Sequence, residues 1–154
     1  MKPKTIVFTI AFCLMAASVS FAANLQLGTW KLNEGKSKIP AGAPKNHTVI
    51  YEAAGNSVKV TVDGTNTEGQ ATHNEWTGMF DGKDYAVTGD PTSDTRAYRR
   101  VNSRTLTFNA KKDGKVTLTG RVVISANGKT RTVTTWGTNA QGQKIKSMAV
   151  YDKE

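Results

Sequence analysis

The chain has 154 residues, of which 38% are apolar and 21% charged, and 21 Lys and Arg against 12 Asp and Glu give a net charge of +9. This length suits one ordinary domain, and the apolar fraction is too low for a membrane protein and too high for a disordered chain. A single cysteine excludes a disulfide framework and a cysteine-based zinc site, and two histidines exclude a multi-histidine metal centre. The composition predicts one small, soluble, basic domain, and we expect no metal and no cofactor.

Residues 1–22 have the pattern of a secretory signal peptide. Two lysines stand near the start, residues 6–17 form an apolar stretch, and Ser20 and Ala22 supply small residues at the cleavage positions. A membrane anchor is the alternative, but the apolar stretch is shorter than the roughly 20 residues of a spanning helix. Cleavage at Ala22 removes the only cysteine, so we expect a secreted or periplasmic domain over residues 23–154 without cysteine.

The rest of the chain alternates in short runs rich in Val, Thr and aromatic residues, which predicts an all-β fold. Residue types that accept positive φ mark hairpin turns at Asp63-Gly64, Asp81-Gly82, Asp113-Gly114 and Asn127-Gly128, and more weakly at Gln141-Gly142. The predicted strands cover residues 25–32, 46–53, 57–63, 71–80, 83–88, 95–101, 104–111, 115–125, 129–138 and 143–152. Successive hairpins build an antiparallel up-and-down meander, and we expect it to close into a barrel of about eight to ten strands.

The alternation of apolar residues predicts how the later strands pair. A two-residue turn at Asn127-Gly128 pairs Val122 with Val133 and Ile124 with Arg131. Directly opposed residues lie on the same side of a sheet. Arg131 is therefore expected on the apolar face.

The turn before this one has two alternatives. A two-residue turn mismatches the apolar faces, whereas a three-residue loop over residues 112–114 pairs Phe108 with Leu118. We favour the longer loop, because a slip of one residue moves a whole strand to the other face. The same register places Arg104 opposite Val122, also on the apolar face.

A guanidinium on an apolar face must be paired or must meet an anion of a ligand, and its planar fork suits a carboxylate. For Arg131 both an internal ion pair and a ligand anion are possible, because a two-residue turn at Gln141-Gly142 would place Asp152 opposite it. Arg104 has no such partner in its hairpin, so we expect the anionic head of a ligand near Arg104.

A G-x-W motif, Leu27-Gly28-Thr29-Trp30, opens the first predicted strand. Followed by a long loop and an antiparallel meander, it resembles the lipocalin-like (calycin) barrels, a superfamily that includes the avidin-type proteins. The resemblance covers most of residues 25–152 and favours a divergent bacterial member. It implies that Gly28 and Trp30 close one end of a barrel whose interior holds a small, usually hydrophobic ligand.

The chain departs from this family in two places. The Thr-Asp-Tyr loop motif is represented only loosely, by Lys83-Asp84-Tyr85. The arginine that in the family packs on the first tryptophan from the last strand has no counterpart in residues 143–152, where Lys144 and Lys146 are the basic residues. These departures leave the identity of the ligand open.

The predicted function is that of an exported, monomeric binding protein, not an enzyme, that sequesters a small hydrophobic or amphipathic ligand in the barrel. Burial of the apolar part of the ligand and one oriented charge would supply the affinity. We do not expect nucleic acid as a partner, because an exported protein seldom meets it. The residues expected to contact the ligand are Trp30, Arg104, Phe108, Leu118, Val122, Arg131 and Val133.

Charge is distributed unevenly along the chain. Residues 95–151 hold twelve basic side chains and one acid, Asp113, whereas residues 23–94 hold six lysines and nine acids. Because neighbours in a meander are neighbours in space, we expect the last five strands to form a basic wall. Such a wall attracts an anionic ligand or an anionic envelope polymer, so an adhesion module is an alternative function. The other interpretation is that exposed Lys and Arg protect strand edges and keep a β protein in solution.

Candidate catalytic groups are few. His47 and His73 stand alone, although His73 and Glu75 share one face of a predicted strand, which makes an enzyme of unknown reaction the third hypothesis. The sequence has no nucleophile elbow, phosphate-binding glycine loop or paired-carboxylate motif. An aromatic cluster is predicted as barrel core or pocket lining and consists of Trp76, Phe80, Tyr85 and Val87.

Overall fold

A computed structural model describes residues 24–139 and 141–154, and the predicted signal peptide, residues 1–22, lies outside them. The described residues form ten antiparallel strands in one closed barrel, which confirms the predicted fold class. In chain order the strands are β1 (Gly28–Leu32), β2 (Lys45–Ala54), β3 (Ser57–Thr65), β4 (Ala71–Gly78), β5 (Tyr85–Thr88), β6 (Thr95–Asn102), β7 (Thr105–Lys112), β8 (Lys115–Ile124), β9 (Thr130–Thr138) and β10 (Lys144–Lys153). A short 3-10 helix, Glu34–Lys36, follows β1. Within the described part of the chain, no helix has the length and apolarity needed to cross a membrane.

Each strand pairs with its neighbours in sequence, and β1 pairs with both β2 and β10 to close the barrel. Because directions alternate, one end of the barrel holds the start of β1 and the end of β10, and we call it the Trp30 end. The opposite end holds the start of β2 and the loop from β5 to β6, and we call it the Asp90 end.

The predicted hairpin turn at Asp63-Gly64 is wrong. Asp63-Gly64 lies inside β3, where Gly64 faces the irregular pairing between Asn46 and Thr48 of β2. A side chain on Gly64 would collide with the carbonyl oxygen of Lys45, so the glycine serves a close approach of two strands and not a turn.

The chain reverses instead over residues 66–70. The side-chain oxygen of Asn66 accepts hydrogen bonds from the backbone N–H groups of Glu68 and Gln70, each at 2.9 Å. In the turn, these side-chain hydrogen bonds satisfy backbone N–H groups that have no strand partner beyond the end of β3.

The pairing of β8 with β9 is as predicted, with Val122 opposite Val133 and Ile124 opposite Arg131. The predicted pairing of β7 with β8 is wrong by two residues, because Phe108 faces Gly120.

The turn between β7 and β8 explains this error. The turn is the tight one at Asp113-Gly114, with φ of 49° and 74°, and it is followed by a bulge in β8 that leaves Thr117 without a partner. With the two-residue turn alone, the apolar residues of β7 and β8 would lie on opposite faces of the sheet. The extra residue of the bulge brings them back to the same face. Arg104 therefore falls between β6 and β7, exposed, and not opposite Val122 on the apolar face.

Large side chains fill the Trp30 end. Trp30, Leu106 and Ile124 are at most 1% exposed, and the Trp30 ring nitrogen donates to the carbonyl of Gln26 at 2.9 Å, which ties the segment before β1 to the core. The predicted aromatic cluster is also core, because the Trp76 ring lies 4.8–6.3 Å from the rings of Tyr98, Tyr85 and Phe80.

The last strand does supply a basic residue to Trp30, a lysine in place of the family's arginine. β10 extends one residue beyond the predicted strand, to Lys153, which pairs with Trp30. The Lys153 ammonium nitrogen lies 5.0 Å from the centre of the Trp30 ring, within the range of a cation–π contact.

Gly120 provides a test of the β7–β8 register. The Phe108 ring occupies the space that a side chain on Gly120 would need. We expect Gly120→Ala to lower the free energy of unfolding by about 1–3 kcal/mol through overpacking, whereas Thr119→Ala, on the outer face beside it, should change it by less than about 0.5 kcal/mol. Urea unfolding of both variants measures the difference, and equal stability would contradict this register.

Candidate functional site

A cavity of about 130 Å³ lies inside the barrel, between the core at the Trp30 end and the loops at the Asp90 end. Alternation along the strands directs the apolar walls inward. These walls consist of Val49, Val60, Val62, Phe108, Ala110, Leu118 and Val133, and polar groups near the Asp90 end come from Asn46, Thr92 and Thr117.

Arg131, at the start of β9, is the charged group at the deep side of this cavity. It is 3% exposed, and one of its terminal nitrogens, Nη2, donates a short hydrogen bond to the hydroxyl of Tyr51. The guanidinium carbon lies 4.4 Å from the centre of the Tyr51 ring, 5.9 Å from Tyr151 and 6.0 Å from Trp30. The other two nitrogens, Nε and Nη1, are buried and have no hydrogen-bond partner among the described residues.

The alternative that paired Arg131 with Asp152 is wrong. Arg131 faces Tyr151 in the β9–β10 ladder, and Asp152 faces Thr130. One residue of register turns Asp152 to the outer surface. There its carboxylate accepts hydrogen bonds from Asn33 at 2.6 Å and from Lys36 at 3.2 Å.

The two tyrosines do not neutralise Arg131. Burial raises the pKa of Tyr151 to about 12 against the opposing effect of Arg131, and burial likewise raises the pKa of Tyr51. Both phenols are therefore uncharged near neutral pH. No ion pair within residues 24–139 and 141–154 includes Arg131. A guanidinium is permanently charged, so Arg131 is a buried positive charge without an ion-pair partner among the described residues, whereas the anion that also lines the cavity, Asp90, is paired with Arg96.

The Asp90 end of the cavity is braced by an ion pair. Asp90 and Arg96 meet at 2.6 Å, and their side chains are 14% and 12% exposed. Burial alone would raise the pKa of the Asp90 carboxyl, but hydrogen bonds from Ser93, Thr92 and Arg96 together lower it to about 2. These bonds attach the β5–β6 loop to β6 beside the opening of the cavity.

The predicted ligand-contact residues divide into three groups. Phe108, Leu118, Arg131 and Val133 line the cavity. Trp30 and Val122 are completely buried and belong to the core, outside the lining. Arg104 is exposed in the β6–β7 turn and takes no part in the lining.

The sequence reasoning missed Tyr51, Tyr98 and Tyr151, which all line the cavity. A signal for Tyr151 was present, because the pattern Thr-Asn-x-x-Gly-Gln occurs at residues 65–70 and again at 138–143. At both sites the asparagine side chain bonds the backbone and the glutamine, and both loops span the same length. Recognising the repeat would have predicted the same longer loop at both sites in place of a two-residue turn at Gln141-Gly142. The longer loop places Tyr151, and not Asp152, opposite Arg131.

The candidate catalytic groups lie on the outer face of the barrel. His73 contacts Asp63 at 2.6 Å and Glu75 contacts Lys59 at 2.8 Å. Neither His73 nor Glu75 lines the cavity. Over the described residues, no group of three or more His, Cys, Asp or Glu side chains is arranged to hold a metal ion.

No protein-family model matches this sequence, and a search of curated proteins finds no match. The geometry alone therefore defines the class of the protein. It is a closed ten-stranded antiparallel β-barrel, compatible with a lipocalin-like barrel, with a cavity that could accept a ligand.

Arg131→Met tests whether the buried charge stabilises the fold. Methionine keeps most of the volume and removes an unneutralised charge, so we expect the free energy of unfolding to stay the same or to rise by about 1–3 kcal/mol. Arg121→Met, on the outer face of β8, is the control and should change it by less than about 0.5 kcal/mol. A loss above about 2 kcal/mol in Arg131→Met would show that its contacts with the tyrosines hold the barrel together.

Asp90 should govern stability in acid. Its folded pKa of about 2 lies below the ordinary 3.8, so its contribution is complete above about pH 4 and disappears as the pH falls towards 2. That contribution amounts to about 2 kcal/mol. Asp90→Asn should lose it at neutral pH and flatten the stability profile between pH 4 and pH 2, measured by urea unfolding. Glu68→Gln, an exposed control, should keep the steep profile, and an unchanged slope in Asp90→Asn would contradict the assignment.

Proposed function

We propose that this chain is a lipocalin-like binding protein that sequesters a small amphipathic anion, above all a carboxylate, with the anionic head on Arg131. The observation that carries the proposal is the buried guanidinium of Arg131, a residue of the cavity lining, with two donor nitrogens that have no partner among the described residues. Taking a charge out of water costs free energy that a bound counter-charge offsets. The anionic head is thus assigned to Arg131 and no longer to Arg104.

The size of the cavity limits the ligand. An engineered protein cavity of roughly 150 Å³ holds one benzene molecule, and the cavity here measures about 130 Å³. The apolar part of the ligand is therefore one ring or a short aliphatic chain. A long acyl chain requires more room than the barrel offers.

The lining supplies both parts of the affinity. The valines, Phe108 and Leu118 cover the apolar part and remove it from water. The free Nε and Nη1 of Arg131 donate charge-assisted hydrogen bonds to the head, and the neutral Tyr51 hydroxyl helps to orient it. The mechanism is sequestration, and no chemical step is involved.

The proposal includes export and a monomeric state. The signal-peptide pattern of residues 1–22 supports export to the periplasm or the medium. Closure of the sheet supports a monomer, because a closed barrel has no free strand edge for pairing with a second copy.

Calorimetry with benzoate and hexanoate tests the head-group assignment against their uncharged analogues, benzamide and hexanol. We expect the carboxylates to bind wild type and to lose at least about tenfold in affinity in Arg131→Met, because a charge-assisted bond disappears. Arg121→Met should bind like wild type.

Two results would contradict the proposal. One is equal binding of a carboxylate to wild type and Arg131→Met, and the other is failure of every small carboxylate to bind. Native mass spectrometry of the exported protein provides an independent measurement, with a co-purifying small acid as the expected result.

A further inference from the structure

A second concave feature lies at the rim of the barrel at the Asp90 end, where Trp136, Lys144 and Lys146 are on the outer face and Leu118 and Ile145 on the inner face. It is a groove of about 440 Å³ between the ends of β8, β9 and β10. We call it the lysine-rimmed groove, and its main side chains are Val116, Leu118, Trp136, Lys144, Ile145 and Lys146.

Large apolar side chains in the groove are exposed to solvent and are not part of the buried core. Val116 is 52% exposed, Trp136 42% and Ile145 41%. They account for half of the six large hydrophobic side chains that are exposed in the described part of the chain. Single exposed apolar residues are ordinary, but a cluster beside charged groups marks a contact surface.

The cations around the groove are not paired. At the end of β7, Lys111 pairs with Asp84 and Lys112 with Asp94, so the acids on either side of β5 neutralise that part of the predicted basic wall. Lys144 and Lys146 have no ion pair with any described residue, and the same holds for Lys115 and Arg121 on β8. The Lys146 ammonium lies 5.8 Å from the centre of the Trp136 ring. No acidic side chain among the residues that the structure describes lines the groove.

The groove also adjoins the opening of the internal cavity. Thr117 and Leu118 line both features. Thr117 is the bulged residue of β8. A surface bound in the groove would therefore face the entrance of the ligand site.

We propose that the lysine-rimmed groove docks on the surface of an anionic phospholipid bilayer. Exposed tryptophan and aliphatic groups enter the interfacial region of a bilayer, and each lysine near an anionic leaflet adds about tenfold or less to the affinity. The combination of Trp136 and Ile145 with two unpaired lysines matches this chemistry. Docking here is peripheral, and the barrel stays outside the hydrocarbon.

A second copy of the chain is a poorer occupant of the groove. A twofold contact between two copies would place Lys144 and Lys146 against the same residues of the other copy. Like charges brought together in this way oppose association. A purely polymeric polyanion would satisfy the lysines but would leave Trp136 and Ile145 exposed to water.

Vesicle co-sedimentation tests the proposal. Wild type is mixed with vesicles of equal parts phosphatidylglycerol and phosphatidylcholine, and separately with pure phosphatidylcholine. We expect binding to the anionic vesicles only, and loss of most of it at about 0.5 M salt. Because Trp30 and Trp76 are buried, the blue shift of tryptophan emission on binding should come from Trp136.

Two double variants separate charge from apolar insertion. Lys144→Gln with Lys146→Gln should weaken vesicle binding by about 30-fold, and Trp136→Ser with Ile145→Ser should weaken it by about tenfold. The matched controls lie at the Trp30 end, where Arg104→Gln with Lys129→Gln removes the same charge and Val101→Ser removes a 52% exposed apolar group. Both controls should bind like wild type.

Three results would overturn the proposal. They are no binding of wild type to anionic vesicles, equal loss in the control variants, and full binding by Trp136→Ser with Ile145→Ser. The last result would assign the groove to anionic polymers, and a polyphosphate titration would then show the same lysine dependence. Carboxylate binding in the cavity is measured without vesicles, so failure of this proposal leaves the proposed function unaffected.

Discussion

The structure depends on a five-residue strand, β1, that hydrogen-bonds to β2 on one side and to β10 on the other. Without these two ladders the meander would be an open sheet with two free edges and two exposed faces. With them, every strand has one side towards the interior and one side towards solvent. The burial of the core, the cavity and the unneutralised Arg131 all follow from that closure.

Closure also separates the two kinds of positive charge in this chain. Most cations lie outside, where they meet water, the acids of the β5–β6 region, or no partner at all. Among the basic residues that the structure describes, only Arg131 is buried, and its surroundings are aromatic rings, one hydroxyl and the internal cavity. The outer cations are suited to contact with an anionic surface, whereas the inner one is suited to a single small anion. The two proposals rest on this physical difference.

The two ends of the barrel have different roles for a related reason. At the Trp30 end, large rings and the segment before β1 fill the interior. Towards the Asp90 end, valines and threonines replace the rings, and the smaller side chains leave the cavity. The bulged residue Thr117 lies at this end, where it lines both the cavity and the lysine-rimmed groove.

Much of the fold could be predicted from local signals. Alternation and glycine turns located ten strands close to their observed bounds, and they paired Ile124 with Arg131 correctly. The errors arose where a loop or a bulge changes the register. The tight turn and the bulge at Thr117 moved the partner of Phe108 by two residues, from Leu118 to Gly120, and the loop at residues 139–143 moved the partner of Arg131 by one residue, from Asp152 to Tyr151. A shift of one residue costs little locally but turns a side chain from the inside to the outside, as it does for Asp152.

The fold class, the order of the strands and the inward position of Arg131 can all be derived from the amino-acid sequence. These follow from the period of two along a strand and from glycines in hairpin turns, which are properties of neighbouring residues. Only the tertiary structure decided what surrounds Arg131 and what lies on Trp30. Tyr51 and Lys153 reach these positions through pairings across the whole chain and the closure of the sheet, and no local pattern encodes how a barrel brings distant strands together.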